Sequence, residues 1–148
     1  MYVPTREEFR QKATEGNLIP VYREILADME TPVSAFAKTV EGDYGFLLES
    51  VEGGENIARY SFLGSQPAMV LTVRRNEVTT LHPDTGETAT RTVEDPFAEL
   101  EAVMDGFRPV PVAGLPPFHG GAVGFLGYDM ARNFEDIPDT TTDDAEIP

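Results

Sequence analysis

The spacing of apolar and polar residues divides the chain into short, varied elements. Thr5-Arg-Glu-Glu8 has capping-box spacing, which predicts a helix over residues 5–14 that halts at Gly16-Asn17. Residues 18–26 are apolar and partly β-branched; Pro20 cannot donate to a ladder, so an edge strand is expected. Thr31-Pro32 opens a second helix, in which Val33, Phe36, Ala37 and Val40 form one stripe to bury. Strand patterns follow at 44–50 and 57–63, around turn-rich 51–56. Residues 68–74 and 77–81 form an expected hairpin about Arg75-Asn76. Pro83 to Gly86 is a turn, and Thr-rich 87–93 a further strand. Asp95-Pro96 starts a third helix with Phe97, Leu100, Val103, Met104 and Phe107 on one face and Gly106 near its end. Pro109, Pro111, Pro116 and Pro117 make 110–117 an extended connector. Gly-rich, apolar 118–128 is expected to be a buried strand.

That order predicts an α+β class: a mostly antiparallel sheet with flanking helices. Regular βαβ alternation is missing, which disfavours a Rossmann-type domain. Residues 1–132 read as one domain. Residues 133–148 hold six acids and no Lys or Arg, the composition of a solvated linker. A chain ending on a linker is expected to lead into a further domain.

Charge narrows the functions. The 148 residues carry 26 acidic and 11 basic side chains, a net charge of -15, and no cysteine. Such a surface lacks the basic footprint needed for nucleic acid and is repelled by anionic membranes. The absence of Cys excludes disulfides, thiol nucleophiles and zinc–thiolate sites in these residues. No apolar run approaches the ~20 residues that span a bilayer, and the N-terminus has no signal-peptide core, so a cytoplasmic location is expected. Six of the acids follow Arg132, so residues 1–132 carry -9 and the acidity says little about a partner.

Candidate chemistry is sparse. His82 and His119 have no local Asp or Ser partner and no metal-ligand spacing, which points to structural roles. Gly121, Gly124 and Gly127 recur every third residue with bulky residues between and no following Lys, which suits close backbone packing better than a phosphate cradle. The acidic tail lacks calcium-loop spacing. Residues 46–63 differ: two strands flank a polar loop and supply Glu49, Ser50 and Arg59. A carboxylate for an ammonium, a hydroxyl donor and a guanidinium for a carboxylate are the groups that hold a free amino acid, with Leu48 as apolar neighbour. A hairpin with a surface Glu–Arg pair accounts for the same residues. A regular strand would send Glu49 and Ser50 to opposite faces, so a shared site requires the strand to end or bulge at Ser50.

At this segment the chain resembles the N-terminal region of anthranilate synthase component I. Leu47-Leu-Glu-Ser50 is similar to that family's Leu-Leu-Glu-Ser element, and Arg59-Tyr-Ser-Phe-Leu-Gly64 to the strand after it. The segments starting at Ile19, Thr31 and Gly120 follow in the family's order. The resemblance implies an inhibitor site for L-tryptophan at Ser50, with Glu49 and Leu48 beside it and Arg59 and Pro32 matching less closely. It places chorismate and Mg²⁺ in a catalytic domain beyond these residues, with no catalytic residue, metal or cofactor here. It also implies a glutamine amidotransferase partner, component II. An aminodeoxychorismate synthase component I has the same architecture, and a standalone amino-acid-binding module is a further alternative.

Overall fold

A computed structural model of the chain describes residues 1–49, 60–138 and 140. In chain order the elements are α1 (Arg6–Lys12), α2 (Pro32–Thr39), β1 (Gly45–Glu49), β2 (Ser61–Ser65), β3 (Val70–Arg74), β4 (Glu77–His82), β5 (Glu87–Thr92), α3 (Pro96–Asp105) and a 3-10 turn at Tyr128–Asn133. Every strand pairing is antiparallel, and the fold is α+β, as the element order predicts. The chain forms two compact units: Leu26–Thr92, and a discontinuous one built from Met1–Ile25 and Val93–Pro148.

In the continuous unit, Thr31 caps α2. Its Oγ1 accepts the Ser34 N–H at 3.1 Å while Ser34 Oγ accepts the Thr31 N–H at 2.9 Å, and Pro32 fills the first turn where no N–H is needed. α2 packs on the β1–β2 hairpin. Its end is anchored where Ser65 Oγ donates to the Thr39 carbonyl at 3.2 Å and Val40 crowds the Cα of Gly45. The expected stripe is only partly covered: Phe36 and Val40 are half-buried, whereas Ala37 is exposed and Val33 is 60% exposed. Two five-residue strands give the helix a narrow surface, and one row of the stripe reaches it. β2 runs through Gly64 to Ser65 rather than stopping before the glycine, while residues 57–59 of the expected strand lie outside the described residues.

β3, β4 and β5 form a meander. Its first turn is the expected Arg75-Asn76, with Arg75 at φ +53. In the second, the His82 carbonyl accepts the Gly86 N–H at 2.8 Å, and Gly86 sits at φ +72, which glycine adopts without the Cβ penalty. Val78, on the central strand, is fully buried. Thr79 and Thr90 hydroxyls meet at 3.0 Å across β4 and β5. All six β5 residues are exposed.

In the discontinuous unit the capping box at α1 is present: Glu8 Oε2 accepts the Thr5 N–H at 2.8 Å. The edge strand expected over 18–26 is not formed. Leu18 bridges Pro109 and Tyr22 bridges Val3, but each bridge is isolated, because Pro20 between them has no N–H to continue a ladder. Instead, Asn17 and Leu18 donate backbone N–H groups to the Arg108 carbonyl, and Val110, 3% exposed, donates to the Leu18 carbonyl. Asp95 caps α3 by accepting from Phe97 N–H at 2.8 Å and Ala98 N–H at 3.3 Å. The Phe97 ring packs against Phe134 with centroids 5.0 Å apart.

The buried strand expected over 118–128 is also not formed. Phe125 is 70%, Leu126 67% and Tyr128 93% exposed. Apolar composition alone does not make a strand; the backbone needs a partner ladder, and no strand among the described residues pairs with this segment.

Candidate functional site

The hairpin carrying Leu48 and Glu49 is built by register. Phe46 opposes Gly64, Leu48 opposes Phe62, and Glu49 opposes Ser61. Alternation puts Phe46, Leu48 and Phe62 on one face, with the Tyr60 and Phe62 ring centroids 5.9 Å apart. The Phe46 ring lies across the Cα of Gly64, in the space a side chain would fill. This face is apolar and aromatic, and Leu48 at its end is 46% exposed. Leu47, Leu63, Glu49 and Ser61 occupy the other face, the one on which Ser65 ties down Thr39.

Leu48 and Glu49 therefore share the end of β1 but point to opposite sides of it. Pro32 opens α2 and lies about 10 Å along the helix axis from the Thr39 anchor, at 1.5 Å per residue. Ser50 and Arg59 lie outside the described residues. Tyr60 and Phe62, quoted in the sequence motif without a role, extend the Leu48 face; their two-residue spacing opposite Leu48 is the signal that finds them. Chemically, the aromatic face offers apolar contact, and the Glu49 carboxylate on the opposite side of the strand end can accept an ammonium.

The histidines serve the backbone. His82 Nδ1 donates to the Ala68 carbonyl at 3.2 Å and His119 Nδ1 to the Pro116 carbonyl at 3.0 Å. Among the described residues no group of three or more His, Asp or Glu converges to hold a metal, and no helix is long and apolar enough to cross a membrane. The discontinuous unit has a cleft of about 330 Å³ lined by Val3, Pro4, Glu8, Gln11, Lys12 and Val112. Two of its charged groups, Glu8 and Lys12, are committed to the fold. The backbone N–H and hydroxyl of Thr5 hold the Glu8 carboxyl below its ordinary value, and Lys12 Nζ donates to the Pro111 carbonyl at 2.9 Å.

Comparison with known proteins places this hairpin in context. Anthranilate synthase component 1 of Acetivibrio thermocellus is 42% identical over 149 residues, covering 100% of this chain and 30% of the relative. The protein of the same name from Mycolicibacterium smegmatis is 42% identical over 145 residues, with 97% and 27% covered. That from Synechocystis sp. is 46% identical over 136 residues, with 91% and 26% covered. No family model and no solved structure matches the chain. The chain thus spans less than a third of the length of these curated relatives. Identity at this level along the whole chain makes it a homologue of the N-terminal region of anthranilate synthase component 1.

Proposed function

We propose that the chain is the regulatory and scaffold portion of an anthranilate synthase large subunit, a cytoplasmic enzyme of tryptophan biosynthesis. The observation that carries this reading is the 42% identity running over 100% of the chain. In the intact enzyme, ammonia released from glutamine by the component II amidotransferase aminates chorismate, and loss of pyruvate leaves anthranilate. In this reading chorismate and Mg²⁺ belong to a catalytic domain beyond these residues, so no catalytic step is assigned to them.

The hairpin end is the inhibitor site in this reading. Glu49 accepts the ammonium of L-tryptophan, Arg59 meets its carboxylate, Ser50 orients it, and Leu48 supplies apolar contact, with Pro32 at the neighbouring helix start. A regular strand would send Glu49 and Ser50 to opposite faces, so holding one ligand between them requires the strand to end or bulge at Ser50. Bound tryptophan favours a state less competent for chorismate, a coupling of roughly 1–3 kcal/mol in typical allosteric systems.

A chimera tests the proposal: this chain replaces the matching segment of the Acetivibrio thermocellus relative. Glutamine-dependent anthranilate formation inhibited by L-tryptophan is expected, and Ser50→Arg in the chimera should keep the activity and lose the inhibition. An active chimera that ignores tryptophan, or inhibition that survives Ser50→Arg, overturns the site assignment.

A further inference from the structure

β5 is one of the two outer strands of its sheet among the described residues, and its six residues are exposed. An outer strand directs a row of backbone N–H and C=O groups away from its own sheet. Register with β4 places Glu87, Ala89 and Arg91 on one face and Thr88, Thr90 and Thr92 on the other. Glu87 and Arg91 stand about 13 Å apart along the strand, too far to pair with each other within one chain. The run from Glu87 to Arg91 is a charge palindrome about Ala89, with a threonine on each side and opposite charges at its ends.

Two identical antiparallel strands related by a two-fold axis normal to the sheet must oppose some residue to its own copy. Centring on Thr88 sets Glu87 against the second copy's Ala89. Centring on Thr90 sets Arg91 against Ala89. Centring on Ala89 sets Glu87 against Arg91 and Thr88 against Thr90, each twice. Only that register joins opposite charges across the seam.

We propose that β5 is a self-pairing edge, through which two copies of the chain join antiparallel about Ala89 into a continuous six-stranded sheet. One strand per copy is a small contact, far below the ~1,200–2,000 Å² of a permanent interface, so the association is reversible and concentration-dependent.

Sedimentation velocity of the 148-residue chain from micromolar to millimolar concentration tests this. A monomer–dimer equilibrium is expected. Glu87→Arg alone and Arg91→Glu alone set like charges together, and each should raise the midpoint concentration about ten-fold. Mixing the two variants restores opposite charges at both ends of the seam and should recover the wild-type midpoint. Glu87→Arg combined with Arg91→Glu in one chain preserves the palindrome and should also associate as wild type, which keeps the test decisive if a single variant folds poorly. A chain that stays monomeric throughout overturns the proposal. So does association through a surface indifferent to the single changes, or a double variant that fails to associate.

Discussion

The side-chain oxygen of Asn17 accepts the backbone N–H of Arg108 at 2.6 Å, across 91 positions of sequence. Its amide nitrogen donates to the Gly106 carbonyl at 2.8 Å, so one side chain holds the chain on both sides of Phe107. Asn17→Ala deletes both bonds while water reaches the exposed groups, and a loss of about 1 kcal/mol is expected, near the net worth of a hydrogen bond. Urea unfolding of the two proteins measures it; an unchanged midpoint would remove Asn17 from the list of fastenings.

Two glycines resist a methyl group for different reasons. A Cβ on Gly16 would strike the Arg108 carbonyl oxygen and come within 2.6 Å of Val110 Cγ2, so backbone must move. At Gly64 the obstacle is the Phe46 ring, the far end of a side chain that can turn aside. Gly16→Ala is therefore expected to cost about 2–3 kcal/mol, in the range of overpacking, and Gly64→Ala about 1. Phe46→Leu should absorb part of the Gly64→Ala penalty, and no second change in a side chain should do so for Gly16→Ala. Equal penalties in thermal melts would contradict this ranking.

The parts of the fold that were legible in the sequence are those whose cause is local. Thr5 with Glu8, Thr31 with Pro32, and Asp95 with Pro96 announce helix starts because the capping partners lie within three residues. The Arg75-Asn76 hairpin is legible for the same reason. The Asn17 clasp was invisible, since it depends on residues 91 positions away. Residues 118–128 misled because apolar content reports a wish to be covered and carries no record of what covers it. At the candidate site, alternation along β1 sends Leu48 and Glu49 to opposite sides, while the Glu49–Ser50 relationship read from the sequence lies outside the described residues. The aromatic partners of Leu48 emerged only with the register, which follows from pairing rather than from either strand alone.

Acid should loosen α1 in a defined window. The Thr5 backbone N–H, then its hydroxyl, and more weakly the Lys12 charge, lower the Glu8 carboxyl below its ordinary 4.5. A depressed folded value means the contribution is present above the unfolded pKa and is lost as pH falls through the folded one. Glu8→Gln should thus be less stable than the native chain at neutral pH and equal to it well below pH 4.5. Melting temperatures of both proteins across that range check the crossover; a constant gap would show that the charge of Glu8 contributes nothing.

Tryptophan should bind this chain poorly on its own, because the relatives' remaining length is not present to close the site. The chain contains no Trp, so the ligand's own indole emission can be followed directly. A dissociation constant weaker than about 0.1 mM is expected, little more than 5 kcal/mol of binding. Micromolar affinity abolished by Ser50→Arg would instead identify a self-sufficient amino-acid sensor.

The discontinuous unit also orders events during synthesis. Within Leu26–Thr92, β3, β4 and β5 pair across short turns, so their ladders become available within a few residues of leaving the ribosome, and β1 meets β2 12–20 positions on. Met1–Ile25 emerges first yet must wait for Arg108 and Val110 before Gly16, Asn17 and Leu18 find their partners. At ordinary elongation rates of ~5–20 residues per second, the first-made segment waits roughly 5–20 seconds. The oldest part of the chain is then among the last to settle, and a pause in translation before Arg108 would leave its amino terminus waiting while the middle is already folded.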